Sequence, residues 1–224
     1  MLVRVGDEQY RGVLAIVKDA AQVSLRAADT LGESGDHCAD IADEAGALLA
    51  INASGYYDYN GDGNGGTLIG YAMYSGEAVG TPMGEGYQRV ELRSDDKLYI
   101  VDSTDPVDPT TRDAMEWNQP LLINGVPQEN GATEIHPRSA IGQTAEGEIL
   151  LYIAEGRMPE EENHGATGED VTADLQRYGC TQATLQDGGS SAIMVYRGEE
   201  ITRCSNGEPQ GRLLPNAWVV TARK

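Results

Sequence analysis

Phenylalanine is absent from the 224 residues, so tyrosine, leucine, isoleucine, valine and methionine must fill any core. Tyrosine supplies most of the aromatic side chains, and a buried tyrosine hydroxyl needs a hydrogen-bond partner. Lysine is nearly missing: Lys18, Lys97 and Lys224 stand against thirteen arginines. Arginine is the better residue for a bidentate grip on phosphate or carboxylate. Positive charge is scarce altogether. The formal net charge of −20 argues against nucleic-acid binding and against docking on anionic membranes. Cysteine occurs three times, at Cys38, Cys180 and Cys204. Their wide spacing excludes a CxxC metal or redox motif, and an odd count fits a reduced protein or one disulfide with a free thiol. No apolar run of membrane-spanning length and no secretory leader is visible, so membrane insertion of this domain is not expected. No linker, internal repeat or low-complexity tract divides the chain, and residues 1–224 read as one domain.

What is present is a series of short apolar runs separated by Gly and Asp turns. Gly12–Val17, Val23–Arg26 and Leu48–Asn52 read as strands. So do segments near 67–74, 78–81, 87–93, 97–102, 120–125, 140–143, 149–153, 192–196 and 217–222. Two segments carry helical spacing. One runs from about Asp36 to Glu44. The other follows Thr167, has acidic residues in its first turn and stops at Gly179. Residues 110–117 are expected to form a helix or a turn. Hairpins outnumber helical crossovers, which predicts an α+β domain with a largely antiparallel sheet and a few helices packed on it.

Asp187-Gly188-Gly189-Ser190-Ser191 lies between two apolar runs. A carboxylate there is costly unless partnered. The glycines admit positive φ and close ligand approach, and the neighbouring N–H groups can face an anion. Asp-Gly is also the commonest hairpin signal, so the local pattern divides evenly between site loop and turn. Asn52, Arg138-Ser139, Glu155-Gly156-Arg157 and Arg212 lie close to the ends of apolar segments too, where a rigid scaffold gathers reactive groups. Asp58, Asn60 and Asp62, with Gly63, match half of an EF-hand loop. Ile69 stands where the bidentate Glu belongs and no helices flank the loop, so it reads as a turn-rich surface loop, the alternative being a calcium site completed by ligands from elsewhere.

Six segments resemble, in order, the motifs of the phosphodiester glycosidase family. They are Ala50–Ala53, Asp113–Met115 with Leu121–Gly125, His136–Gly142, Ile153–Arg157, Gly165–Thr167 and Asp187–Ser191. The chain departs from the family pattern in places. Gln186 stands where leucine is usual, Glu155 where aspartate is usual, Ser139 replaces threonine and Ser190 a third glycine.

The resemblance implies a hydrolase that cleaves a sugar-1-phosphodiester, of the N-acetylglucosamine-1-phosphodiester kind, and releases the sugar. On that reading Asp187 is the general acid or base, Glu155 is a second catalytic carboxylate, and Arg138 and Arg157, with Arg212 from the substrate-binding set, clamp the phosphate. Gly188, Gly189 and Ser190 offer N–H groups to a phosphoryl or sugar oxygen, and Asn52, Thr167 and Ser191 bind sugar hydroxyls. The expected partner is a sugar-phosphodiester glycan or cell-surface polymer, with no cofactor beyond the weak calcium candidate. The implied location is extracytoplasmic, the cytoplasm being the alternative. A non-catalytic glycan-binding module on the same scaffold is the alternative function.

Overall fold

In the computed structural model, residues 1–117 and 119–222 are described. Three antiparallel sheets carry most of the chain. The largest contains β1 (Leu2–Gly6), β2 (Arg11–Val17), β10 (Pro120–Ile123), β11 (Val126–Pro127), β12 (Arg138–Thr144), β13 (Ile149–Ala154) and β14 (Cys180–Gln186). Its spatial order is β1-β2-β13-β12-β14-β10-β11. The second holds β3 (Val23–Ala27), β4 (Ala47–Asn52), β15 (Met194–Tyr196), β16 (Glu199–Glu200) and β17 (Asn216–Thr221), in the order β16-β15-β4-β17-β3. The third holds β5 (Tyr71–Tyr74), β6 (Glu77–Gly80), β7 (Gln88–Arg93), β8 (Leu98–Asp102) and β9 (Thr111–Trp117), in the order β6-β5-β9-β7-β8. The expected largely antiparallel α+β class is the observed one.

One core cluster joins all three sheets. Ile141 and Leu151 of the first, Leu25, Ile51 and Trp218 of the second, and Val90 and Met115 of the third are buried together. A second cluster lies under helix α2 (Gly168–Arg177), whose Val171 and Leu175 pack with Leu121, Ala140 and Leu150. Helix α1 (Cys38–Glu44) covers β4, β15 and β17. In the cluster under α2 the missing phenylalanines are replaced by Tyr10 and Tyr152, whose hydroxyls are satisfied. Tyr10 and Tyr152 both donate to Asp174 of α2, at 2.8 and 3.0 Å. Among the described residues no helix is long and apolar enough to cross a membrane.

Residues 111–117, expected as helix or turn, form a strand at the centre of the third sheet. The alternation was disguised because that sheet buries charge. Glu116 is fully buried and accepts from Tyr71 N, Met83 N and Ser103 Oγ at 3.0, 2.8 and 2.6 Å. Glu91 is equally buried, between Arg89 and Arg93, each 2.8 Å away. Partnered in this way, a buried carboxylate is tolerated where an apolar residue would ordinarily mark the strand.

The Asp187 loop is not a hairpin. β14 ends in the seven-stranded sheet and β15 begins in a five-stranded one, so the loop carries the chain from one sheet to another. This crossing point places the site.

Candidate active site

Asp187 is clamped from both sides of the crossing. Its N–H donates to Ala53 O at 3.0 Å, and its carbonyl accepts from Asn52 Nδ2 at 2.6 Å. Asn52 Oδ1 accepts from Ile193 N at 3.3 Å. Gln186 Nε2 donates to Asn52 O at 2.7 Å and to Ser139 Oγ at 2.9 Å. Asn52, Ser139 and Gln186 are buried, and their hydrogen bonds tie β4 to β12 and β14. Asn52, expected to bind sugar, is therefore placed behind the loop as its anchor.

The loop closes as a 3₁₀ turn at Gly189–Ser191. Of the two loop glycines only Gly189 takes positive φ, at 59°. Its N–H donates to Pro137 O at 2.9 Å, and Ser191 N–H donates to Gly188 O at 3.1 Å. Both are thereby withdrawn from any anion, leaving a smaller backbone cradle than the sequence suggested.

A pocket of about 330 Å³ opens over this loop. Asp187, Gly188, Gly189, Ser190, Ser191 and Gln186 line it together with Arg138, Arg157, Arg212, His136, Tyr56, Asp58, Trp117 and Gln119. Burial pushes the Asp187 carboxyl up to about 6, against the pull of the Ser191 hydroxyl and of Arg212 toward lower values. The fold thus favours the protonated acid. The associated stability is full below the unfolded value near 4 and is lost as pH rises through 6. Asp187→Asn, which stays neutral, should match the wild type at pH 4 and exceed it by roughly 2 kcal/mol above pH 6.5, discounting for partial exposure. Urea unfolding at the two pH values checks this.

Arg138 and Arg157 form one wall. Arg138 is half-buried and donates through Nε to Ala166 O at 3.0 Å and through a terminal nitrogen to Glu134 O at 2.5 Å. Those partners are carbonyls, so its charge is not neutralised by an ion pair. Burial, and then repulsion from Arg157, pull its pKa down, against attraction from Glu134. Arg157 sits at positive φ, 60°, 3.5 Å from His136 Nδ1, with His136 Nε2 3.0 Å from Glu134. Arg11, Arg89, Arg93, Arg112, Arg177, Arg203 and Arg212 pair with carboxylates, whereas Arg138 and Arg157 in the pocket, like Arg4, Arg26 and Arg197 outside it, form no salt bridge among the described residues.

The wall is built backbone on backbone. Gly165 has φ of 122°, and a Cβ there would lie 2.5 Å from the His136 carbonyl carbon. Gly165→Ala should therefore cost about 2–4 kcal/mol through strain and collision, seen as a lower Tm.

Arg212 faces the pocket from the other side, yet it is already held. It forms a bidentate pair with Asp58 at 2.6 and 2.9 Å, donates to Gly61 O and Gly63 O, and stacks over Tyr56 at 5.1 Å. Asp58 is drawn below the usual carboxylate range by this partner. A cation bound at Asp58 would face that guanidinium, which does not suit the calcium loop expected at Asp58, Asn60 and Asp62. Among the described residues no group of three His, Cys, Asp or Glu side chains could hold a metal ion.

Two expected site residues lie elsewhere. Glu155 lines a separate groove, where it accepts from Arg203 N at 2.7 Å and Asn163 Nδ2 at 3.1 Å. Thr167 caps α2 in a reciprocal box with Asp170 and lines a third cavity. Glu155 therefore does not share the pocket with Asp187. In the other direction, Tyr56, Trp117 and Gln119 line the pocket but were not singled out by the sequence. Trp117 packs close against Gly55, where a Cβ would meet the ring at 2.5 Å. Three buried polar atoms of the pocket lining lack a hydrogen-bond partner among the described residues: Tyr56 Oη, Trp117 Nε1 and Gln186 Oε1. Each such atom costs about 1–3 kcal/mol unless a ligand or water satisfies it.

Fold and pocket define an antiparallel α+β protein with a carboxylate-floored, arginine-walled pocket at the junction of two sheets. The chain belongs to the phosphodiester glycosidase family, whose sequence model matches residues 45–221. The catalytic domain of zebrafish N-acetylglucosamine-1-phosphodiester alpha-N-acetylglucosaminidase, solved auto-inhibited by its pro-peptide, superposes with a TM-score of 0.80. The identity is 18%, over 100% of this chain and 82% of that one. A hypothetical protein from Synechocystis matches with a TM-score of 0.64 at 15% identity, over 99% of this chain and 61% of that one. In sequence, an uncharacterized prophage-derived protein of Bacillus subtilis, YomE, is 35% identical over 72 residues. That match covers 32% of this chain and 11% of YomE. Family and fold together support a glycosidase-type function.

Proposed function

We propose that this protein hydrolyses a sugar-1-phosphodiester, with the phosphate against Arg138 and Arg157 and the reacting carbon over Asp187. The observation that carries this reading is two arginines lying together in one pocket, neither paired with a carboxylate, in a strongly acidic chain. Two neighbouring guanidiniums repel one another, and an anion lying between them removes that repulsion while accepting charge-assisted bonds.

The chemistry follows from what each group lacks. A departing phosphate monoester is a good leaving group once arginines hold its charge, so it has little need of an acid. The attacking water is a poor nucleophile and needs a base. Asp187, with a pKa near 6, is ionised at neutral pH and can take that proton. Water attacks C1 and passes its proton to Asp187. The C1–O bond breaks, and its electron pair leaves with the phosphate oxygen. Asp187 then returns its proton to solvent. Ser191 and the clamps on the loop backbone hold the carboxylate in place. Trp117 offers an apolar face on which a sugar ring can lie.

The test is release of free sugar from UDP-N-acetylglucosamine and synthetic sugar-1-phosphodiesters, run in ¹⁸O-labelled water. Label in the sugar supports C1–O cleavage, and label in the phosphate would reassign the bond. Glycan binding without any turnover across the panel would overturn the hydrolase reading in favour of a binding module.

A further inference from the structure

The amide of Gln186 has a fixed orientation. One end faces the carbonyl of Asn52 at 2.7 Å, and a carbonyl only accepts, so the nitrogen must be there. The same nitrogen also reaches Ser139 Oγ at 2.9 Å. Oε1 is therefore the atom left over. It is buried, in a side chain only 2% exposed, and it has no partner among the described residues. Gln186 lines the pocket immediately before Asp187 in the chain. A buried acceptor held in one orientation, unpaired and next to the reacting group, is poised for a donor that arrives with a ligand.

From this geometry we infer that Gln186 is a specificity-determining residue, whose Oε1 accepts a hydrogen bond from one hydroxyl of the bound sugar. The inference rests on the proposed sugar-phosphodiester reading of the pocket. Because Nε2 is anchored across two sheets, the acceptor cannot swing away to suit a sugar that lacks that hydroxyl. A site with a fixed acceptor of this kind discriminates against the analogue missing the donor, since the oxygen then stays unpaired with the ligand bound. Trp117 Nε1, also unpaired at the pocket, offers a donor for the same ligand.

The test uses a series of sugar-1-phosphodiesters, each lacking one hydroxyl. The wild type should lose about 10–100-fold in kcat/KM for one member of the series and much less for the others. In Gln186→Leu that ratio should collapse toward one. The ratio of two substrates on the same variant does not depend on how much of it is folded. If Gln186→Leu fails to fold, the wild-type series still decides. A flat series overturns the inference, as does a Gln186→Leu variant that keeps the full ratio. Calorimetric binding of the corresponding deoxy sugar 1-phosphates to the wild type separates the two proposals. Selective binding without turnover would leave Gln186 as the reader and remove the hydrolase. Turnover with a flat series would do the reverse.

Discussion

Asp187→Asn is expected to lower kcat for a sugar-1-phosphodiester by about 10²–10⁴-fold, the range that a positioned acid or base contributes. Asparagine keeps the shape and loses the ability to accept a proton. Neither backbone clamp, to Ala53 and to Asn52, involves the side chain, so the loop should hold its position. A general base whose pKa is about 6 also fixes the sign of the pH profile. The wild-type kcat/KM should rise as pH passes upward through 6 and then level off. A profile that falls across the same interval would make Asp187 an acid and reverse the proposed proton path. The same substitution should stabilise the protein above pH 6.5, so loss of activity and gain of stability should appear together. That pairing is hard to obtain from simple misfolding and is characteristic of a group kept in an unfavourable environment for its chemistry.

Removing one arginine of the pocket wall is the second large effect. Arg157→Ala should cost about 10²–10³-fold in kcat, as loss of one preorganised donor does in comparable anion sites. Arg157 has no carboxylate partner, so its removal leaves no buried charge behind and Tm should move little. Arg157→Lys should recover only part of the rate, because an ammonium cannot make the two parallel bonds of a guanidinium. Inorganic phosphate offers a reading independent of turnover. It should inhibit the wild type and inhibit the alanine variant more weakly, with salt narrowing the difference. A variant with unchanged kcat and unchanged phosphate inhibition would show that the anion lies elsewhere.

The sheet scaffold was largely legible because most strands bury apolar residues on at least one face. Besides the two-residue β11 and β16, two strands escaped notice for opposite reasons. β1 is an edge strand whose side chains are half-exposed, so its alternation is shallow. β9 is central but buries Asp113 on one face and Glu116 on the other, which removes the apolar signal. The site divided in the same way. Asp187, Arg138 and Arg157 could be found because each lies at or just beyond a strand end, where local sequence marks it. Tyr56 and Trp117 could not, because Tyr56 lies outside every named strand and Trp117 ends β9, the strand whose buried charges hid it. Glu155 and Thr167 illustrate the converse. Both occupy motif-like positions, yet one is turned to Arg203 and Asn163 and the other is used as a helix cap.

The crossing of the chain between sheets has a mechanical consequence. Asp187 is held by Ala53 and Asn52 on one side of the junction, while Arg138 stands at the start of β12 on the other. Gln186 pairs with Ser139 inside the first sheet, so the spacing of Asp187 from Arg138 is set there, whereas the grip of Ala53 and Asn52 on Asp187 depends on how the two sheets register. A catalytic group must be held to about half an ångström. A small slip of one sheet over the other would break the clamps to Ala53 and Asn52 and loosen Asp187 while each sheet remained intact. Activity would then fail at lower denaturant than the far-UV signal of the strands, and turnover becomes the most sensitive gauge of whether the junction is closed.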